Sequence, residues 1–586
     1  MLNFKLKANA IDVNSATPIV DYLKTLGITE TDEFIKYAKP TSEICGAKLT
    51  NAAKMTYKLK ECFETDKKFF LIVDCDTDGF TSSAIFYNYF KYRYPDSHIE
   101  WMLHEEKQHG IEMDKIPDDA EVIIVPDAGS NQIDELTTLN SQGRTVLVMD
   151  HHQVEIPNVN LSDVIIVNNQ TSADFNNKSL SGAGVVFKII QLYDKLFFAD
   201  NWSNKFYDLA ALGIIADCMD SRTLDNNYII KRGLGNINNK MFLALIDKQA
   251  YQISSGTPNK IDVAYYIAPL INGTIRMGTM EEKEKLFRGF IETPLQDWYE
   301  HTWRGVTNTE DAYHHAARIA YNVKNEQNKQ KMKCLEFLQK RIEEQGLNNN
   351  KIIAVITYDT DEVVVPKTIT GLVAMELLKL YGKPSLVLRP TVDKDGTVTY
   401  TGSGRSNNFE ELPSFLNFVR DQEESVFAQG HACAFGCSVK ADEFDSFIQA
   451  CNDKLSHIDF AADTIYVDAY FDTNTRVNHI LLTEFASNAN VYGNQIPEPL
   501  IAIEGEISGS DIRIMGTKGN SVRIDIKSIP CIKFKDDELV KQIQNLKRAK
   551  VTVIGKPVLN EYMGIVKTQL SIQHINLEPL NSGGLF

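Results

Sequence analysis

Five short apolar runs, rich in β-branched residues, recur between residues 69 and 169: FFLIVD (69–74), HIEWML (98–103), EVIIVPD (121–127), TVLVMD (145–150) and DVIIVNN (163–169). A strand that is apolar at nearly every position is buried on both faces. The segment SSAIFYNYFKYRY (82–94), between the first two runs, carries its apolar residues at helical spacing. Strands that alternate with helices predict an open parallel sheet with right-handed crossovers.

The chain has 586 residues, enough for roughly three to five domains. From 185 to 345 it reads mostly as helix, and 315–345, free of Pro and Gly, reads as a long polar connecting helix that LNNNK (347–351) ends. A second alternating unit begins with KIIAVITY (351–358), followed by a helix over 368–381, SLVLRP (385–390) and a Gly-rich turn. Beyond 460, short β-rich runs (IAIEGEI, SVRIDIK, KVTVIGK, KTQLSIQHI) predict a small barrel or sandwich. The expected fold class is α/β. Its expected parts are a helical lead-in over 1–65, a parallel-sheet domain over 66–310 and a connecting helix over 311–350. A smaller α/β domain over 351–455 and a β-rich domain over 456–586 complete it.

Four segments of the first unit run into residues that bind metals. FFLIV leads to Asp74-Cys75-Asp76-Thr77-Asp78-Gly79, EVIIVP to Asp127, and TVLVM to Asp150-His151-His152. ALGIIA (211–216), read as a further strand, leads to Asp217. In an open parallel sheet the carboxyl ends of the strands share one rim, where ligands bind. D-x-D-x-D-G also opens a calcium-binding loop, but the twelfth position is Ile85 rather than Glu and a strand precedes it. A lone Asp at a strand end is commonly a helix cap; four such ends on one rim favour a metal cluster. Oxygen-rich donors suit Mg²⁺ or Mn²⁺, and the imidazoles favour Mn²⁺. Strand alternation is expected to point Cys75 away from Asp74 and Asp76, which disfavours zinc. The ligands outnumber the needs of one ion and suggest two ions sharing a carboxylate. Such a pair activates water for in-line attack on phosphorus.

These motifs resemble those of the DHH phosphoesterases, and within them the RecJ family of single-stranded-DNA exonucleases. The resemblance rests on Asp74 to Ser82, Asp127-Ala128-Gly129, Asp150-His151-His152, the turn Leu180-Ser181-Gly182-Ala183-Gly184-Val185, and Leu212 to Asp217. Downstream, Ala268-Pro269-Leu270-Ile271-Asn272 with Arg276 is similar to a RecJ substrate-channel motif, although Ile275 replaces a Gly before the Arg. Gly402-Ser403-Gly404-Arg405-Ser406 and Gln429 to Gly436 resemble the DHH-associated domain. The resemblance implies a binuclear site with Asp76, Asp78, Asp127, His151 and Asp217 as ligands and Asp127 as the bridge. Asp74 and His152 would be ligands or close supports. It also implies substrate contacts from Ser82, Asn272, Arg276, Ser403, Arg405, Ser406 and His431. Where the family has an Arg-containing, Gly-rich segment, this chain has Trp101 through Gly110 with no Arg; Lys107 and His109 stand in that segment. The implied activity is 5′→3′ hydrolysis of single-stranded DNA to 5′ mononucleotides in repair, recombination or replication. The implied partners are the DNA strand and a single-strand-binding protein, with the enzyme a monomer.

A GSGR turn would by itself let backbone N–H groups approach a phosphate, with Arg as a bidentate donor. His431, Cys433 and Cys437 could suggest zinc, but nothing nearby completes a tetrahedral set. The formal net charge of −17 counts against nucleic-acid binding, yet 511–560 carries eleven Lys/Arg against five Asp/Glu. That stretch, with Phe534 and Tyr562 among its β-rich runs, suits single-strand binding by charge and stacking. Scattered cysteines and the absence of an apolar leader or spanning run point to a cytoplasmic chain with no membrane segment. Two rival readings stand beside this one: a DHH phosphodiesterase acting on nanoRNA or cyclic dinucleotides, and a non-catalytic replication or repair scaffold.

Overall fold

The computed structural model describes residues 3–37, 45–105, 108–155, 161–253, 256–392, 396–407, 409, 411–460, 464–544, 546–562 and 564–580. Lys107 and the side chain of Tyr562 lie outside the described residues. The chain forms two units: Met1–Ala320 with Ile465–Phe586, and Tyr321–Thr464.

The first unit opens with β1 (Phe4–Leu6), α1 (Pro18–Thr25), α2 (Thr31–Ile35) and α3 (Ala52–Glu64). Five parallel strands follow: β2 (Phe69–Val73), β3 (Ile99–Leu103), β4 (Val122–Pro126), β5 (Thr145–Asp150) and β6 (Val164–Asn168), in the order β3-β2-β4-β5-β6. The crossover helices are α4 (Thr77–Arg93) and α5 (Ile133–Ser141), and α6 (Gly182–Phe197) follows β6. Alternate strand residues Ile72, Ile123, Val125, Val146 and Val148 share a core with Leu136 and Leu139 of α5, while the other face meets α4 and α6. From β2 the chain moves outward to β3, then returns past β2 to β4. The carboxyl ends of β2 and β4 therefore flank a topological switch point, the crevice where such sheets bind ligands.

One segment read as a strand is a helix. Residues 211–216 belong to α7 (Tyr207–Ala216), and Asp217 is its C-cap. Leu209, Ala210, Ala211, Leu212 and Ile214 are wholly inaccessible. An apolar run buried on every side has no periodicity to separate helix from strand. Helices α8 (Leu224–Leu234), α9 (Lys240–Lys248), α10 (Lys260–Asp262), α11 (Ala268–Met277) and α12 (Met280–Phe290) fill the predicted helical region. It is interrupted by a hairpin, β7 (Trp298–Trp303) with β8 (Val306–Asp311). Its turn residues Arg304 and Gly305 both have positive φ, as a two-residue hairpin turn requires. The expected long helix is α13 (Ala312–Glu344).

The second unit holds β9 (Ile353–Ile356), α14 (Thr370–Tyr381), β10 (Ser385–Val392), β11 (Val398–Arg405), α15 (Phe415–Arg420), β12 (Ser425–His431), β13 (Ala434–Lys440) and α16 (Phe444–Lys454). The sheet order is β12-β13-β11-β10-β9. The Gly-Ser-Gly-Arg segment is not a turn but the end of β11, an interior strand paired with β10 and β13. Its backbone therefore serves the sheet. The glycines permit close packing: a Cβ at Gly402 would lie 2.0 Å from Val387 O, and one at Gly404 would lie 2.5 Å from the Phe435 ring.

The C-terminal segment adds β14 (Ile465–Val467), β15 (Ala469–Phe471), α17 (His479–Ser487), β16 (Ile501–Ser508), β17 (Ile512–Met515), β18 (Ser521–Ile526), β19 (Ile529–Lys533), α18 (Asp537–Ile543), β20 (Arg548–Tyr562) and β21 (Ile565–Pro579). Its seven-stranded sheet runs β15-β16-β20-β21-β19-β18-β17. The first residues of the chain are not a separate helical lead-in. β1 pairs with β14, and Tyr22, Leu23 and Phe34 share one core with Leu481, Phe485, Ile503 and Val553. A strand of three residues carries too little pattern to be read from sequence.

Lys260 joins these pieces. It is 3% exposed, and its Nζ donates to Asn227 Oδ1 (3.0 Å) and Val491 O (3.1 Å). Burial pushes its pKa down to about 7 from 10.5. Below about 7 both states carry the charge and the fold bears the full cost of burying it. Between about 7 and 10.5 the unfolded chain binds the extra proton, so this group's contribution to stability rises with pH. Lys260→Met is therefore expected to raise the unfolding free energy measured in urea at pH 6, by on the order of 2–4 kcal/mol. The difference from wild type should shrink by pH 10; a constant difference would exclude this cause.

Candidate metal centre at the sheet rim

The crevice gathers the polar strand ends. Asp76 leaves β2 as the N-cap of α4, accepting from Gly79 N at 3.0 Å. Asp78, in the first turn of α4, accepts from Ser181 Oγ (3.0 Å), Gly182 N (2.6 Å) and Ala183 N (3.0 Å). The N-terminus of α6 thus holds an anion where its N–H groups and dipole favour one. Asp127 follows β4 with φ +63°, a strained position that Asp tolerates better than a branched residue. Its N–H donates to Met149 O, and its Oδ1 is buried with no hydrogen bond among the described residues. His151 Nε2 lies 3.1 Å from Asp127 Oδ1, 3.4 Å from Asp217 Oδ2 and 3.9 Å from Asp78 Oδ2.

The structure therefore brings Asp74, Asp76, Asp78, Asp127, His151, His152 and Asp217 to one rim. Ligand atoms of Asp78, His151 and Asp217 lie within 4.8 Å of one another, as do those of Asp127, His151 and His152, and of Asp74, Asp76 and Asp127. The carboxylates repel one another at the rim. Burial, then neighbouring Asp76, pushes Asp78 up to about 6. Burial and the Asp78, Asp76, Asp74 and Asp217 charges hold Asp127 well above the usual range; burial with Asp78 and Asp76 does the same for Asp217. Oxygen and imidazole donors around an orphaned buried oxygen fit a divalent cation, whose charge would relieve this repulsion. The cluster has the donor set and spacing that a divalent metal requires.

Several supports were not legible in the sequence. Asp150 accepts from Ser130 N, His151 N, His152 N and His152 Nδ1, the last at 2.8 Å. Burial opposes the His152 charge, but the Asp150 hydrogen bond and charge prevail and push it up to about 9. The His152 side chain is 54% exposed. Asn168 donates to His152 O and Gln170 to His151 O, fixing the backbone of the motif. The signal for both was the polar NNQ ending of an otherwise apolar strand.

Asp74 also braces the rim. Its oxygens accept from Gly110 N (2.9 Å) and bind His109 Nδ1 (2.7 Å). Cys75 does not point away from this pair: its Sγ lies 3.6 Å from His109 Nε2. The chain has left the strand after Val73, so strand alternation no longer holds.

The expected substrate contacts divide. Arg276 is half-buried in the last turn of α11, its Nε buried with no partner among the described residues. Asn272 Oδ1 accepts from both the N–H and the hydroxyl of Thr77, each at 3.0 Å, and so positions the first motif. Ser82 is wholly buried inside α4 and donates to Gly79 O, which removes it from the substrate set. In the second unit, Ser403 shares a hydrogen bond with Thr370, Arg405 lies against Gly371, and His431 is exposed at the end of β12. Ser406 is 5% exposed and its hydroxyl donates to Asn407 O, so it serves the loop rather than a ligand. Among the described residues, every cluster with metal-ligand spacing lies on the first unit's rim, none at Cys433 or Cys437.

The parallel sheet and its rim define a metal-dependent phosphoesterase of DHH type, and comparison with known proteins agrees. The DHH family N-terminal domain matches residues 68–214, and the RecJ OB domain matches 475–574. A prophage-derived protein of Bacillus subtilis, named as a single-strand DNA-specific exonuclease, is 32% identical over 566 residues, 96% of each chain. The single-stranded-DNA-specific exonuclease RecJ of Haemophilus influenzae is 21% identical, covering 89% of this chain and 90% of its own. The crystal structure of Thermus thermophilus RecJ in complex with Mn²⁺ shares the fold, with a TM-score of 0.70 at 19% identity over 100% of this chain and 80% of its own. The chain belongs to the RecJ family of DHH phosphoesterases. Among the described residues no helix is long and apolar enough to cross a membrane.

Proposed function

We propose that this chain hydrolyses single-stranded DNA from its 5′ end, releasing 5′ mononucleotides. The observation that carries this reading is the rim: Asp76, Asp78, Asp127, His151 and Asp217 converge around the buried Asp127 Oδ1, which makes no hydrogen bond among the described residues. The relatives named as single-strand-specific exonucleases support the substrate. Those five residues would hold two divalent ions, Mn²⁺ in preference to Mg²⁺, with Asp127 shared. Bound ions of this kind lower the pKa of water and offset phosphate charge.

The chain's own residues orient the reaction. Asp150 fixes His152 Nδ1, which leaves the other ring nitrogen to donate to a phosphate oxygen. Asn272 holds the Thr77 turn from which Asp76 and Asp78 project. Arg276, with its buried Nε, receives a backbone phosphate. Water attacks phosphorus and the bond to O3′ breaks. The released nucleotide keeps its 5′ phosphate, and the shortened strand gains a new one.

Arg276→Ala is expected to raise KM for a single strand about 10-fold, while the Tm shift on adding Mn²⁺ is retained. Loss of that shift would place Arg276 in the metal site instead. The reading as a whole is tested with 5′-labelled and 3′-labelled single strands, a duplex and a dinucleotide, each with Mn²⁺. Early mononucleotide release from the 5′ label, with the duplex spared, is the expected result. Cleavage of the dinucleotide alone would assign the chain to small substrates, and no cleavage at all would favour a scaffold.

A further inference from the structure

In the second unit, β11, β13 and β12 present one face whose residues are set by register. Arg405 pairs with Ala434 and Ala434 with His431; Ser403 pairs with Gly436 and Gly436 with Gln429; Thr401 pairs with Ser438 and Ser438 with Phe427. Paired residues of antiparallel strands lie on the same face. Arg405, Ser403 and Thr401 thus share a face with His431, Gln429 and Phe427. The opposite face carries Tyr400, Phe435, Cys437, Val439 and Ala428 into the core.

Helix α14 covers the β11 side, where Thr370 bonds Ser403 and Gly371 meets the Arg405 guanidinium. The β12 side is open: Phe427, Gln429 and His431 are all exposed. The Phe427 ring is 45% exposed and reaches across toward Gly436, whose Cβ position would be 4.0 Å from Phe427 Cε2. No carboxylate stands in these three rows, and Arg405 and His431 occupy the row at one end. Edge strands are ordinarily blunted by charged residues. A bare aromatic ring there, on a cationic, carboxylate-free ledge, has the composition of a single-strand track: charge for the backbone, a ring for a base.

We propose that Phe427 is a base-stacking residue of the substrate strand, with Arg405 and His431 on the same ledge contacting its phosphates. The inference rests on the reading of this chain as a single-strand exonuclease. Its consequence is that the enzyme needs a base, not only a backbone, at one position of the strand.

The test uses a 5′-phosphorylated single strand in which one abasic site is moved through successive positions, with KM and kcat measured for the full chain. Wild type is expected to show one position where the abasic site raises KM roughly 10-fold. Phe427→Leu should show the same KM on an intact strand as wild type does on that abasic strand, and no position effect. Phe427→Trp should restore both. Leu fills nearly the same space, so a packing role would leave Phe427→Leu like wild type and sink the proposal. A wild type that degrades every abasic strand equally would also overturn it. A wild type that degrades no single strand would instead overturn the functional reading beneath it.

Discussion

Replacing Asp127 with Asn is expected to lower kcat on single-stranded DNA by on the order of 10³-fold or more, because even the supports of metal ligands are commonly worth 10–100-fold. The same change is expected to raise the Tm of the metal-free protein. Asp127 is buried beside Asp78, Asp76, Asp74 and Asp217, and its carboxyl is held well above the ordinary value of 3.8. A group whose pKa is raised by folding loses stability as pH climbs past its unfolded value. At neutral pH the metal-free fold therefore carries that cost, and a neutral amide of the same shape removes it. Mn²⁺ should reverse the ranking. At a concentration 100 times its Kd, a cation that binds only the folded chain adds about 2.7 kcal/mol, and the variant should gain much less. The paired measurement is turnover and Tm, each with Mn²⁺ and with EDTA. Full turnover by Asp127→Asn at saturating Mn²⁺ would remove Asp127 from the site.

The second large effect is expected from one methyl group. Gly182 begins α6, and its N–H donates to Asp78 Oδ2. A Cβ at this position would lie 2.4 Å from Asp127 Oδ1 and 2.6 Å from Asp127 Cβ. Nothing flexible can yield there, because Asp127 already holds a left-handed backbone tied to Met149 O. Gly182→Ala must push the helix N-terminus away from both carboxylates. Destabilisation of about 1–3 kcal/mol is expected from overpacking, with kcat/KM down roughly 100-fold from ligands moved by an ångström. Gly213→Ala should behave alike, since its Cβ would meet Asp78 Oδ1 at 2.2 Å. Wild-type activity and Tm in both variants would mean that these contacts do not set the rim.

What could be read from sequence follows from how strongly each segment is constrained. The strands of the parallel sheet announce themselves because burial on both faces demands an unbroken apolar run, as in FFLIV and VIIVP. The rim residues were legible because four chemically similar endings recur on segments that one sheet must align. Burial also misled: α7 is as apolar as a strand, and only its length marks it as a helix. The glycines of β11 suggested a turn, but they answer to packing against Val387 and Phe435, partners that no local pattern reveals. Ser82 matched a motif whose hydroxyl serves the helix, and Asp150, legible only as part of a metal-binding ending, holds His152 in place. The docking of β1 on β14 links residues more than four hundred positions apart and leaves no trace in composition.

The most direct measurement is an anomalous difference map from crystals grown with Mn²⁺, recorded at the manganese edge. Two peaks within bonding distance of the crevice carboxylates are expected, both reaching Asp127, with His151 and Asp217 among the remaining ligands. Peaks at other carboxylates of the chain, or a crevice with no anomalous density at a Mn²⁺ concentration that supports turnover, would contradict a metal centre at the rim.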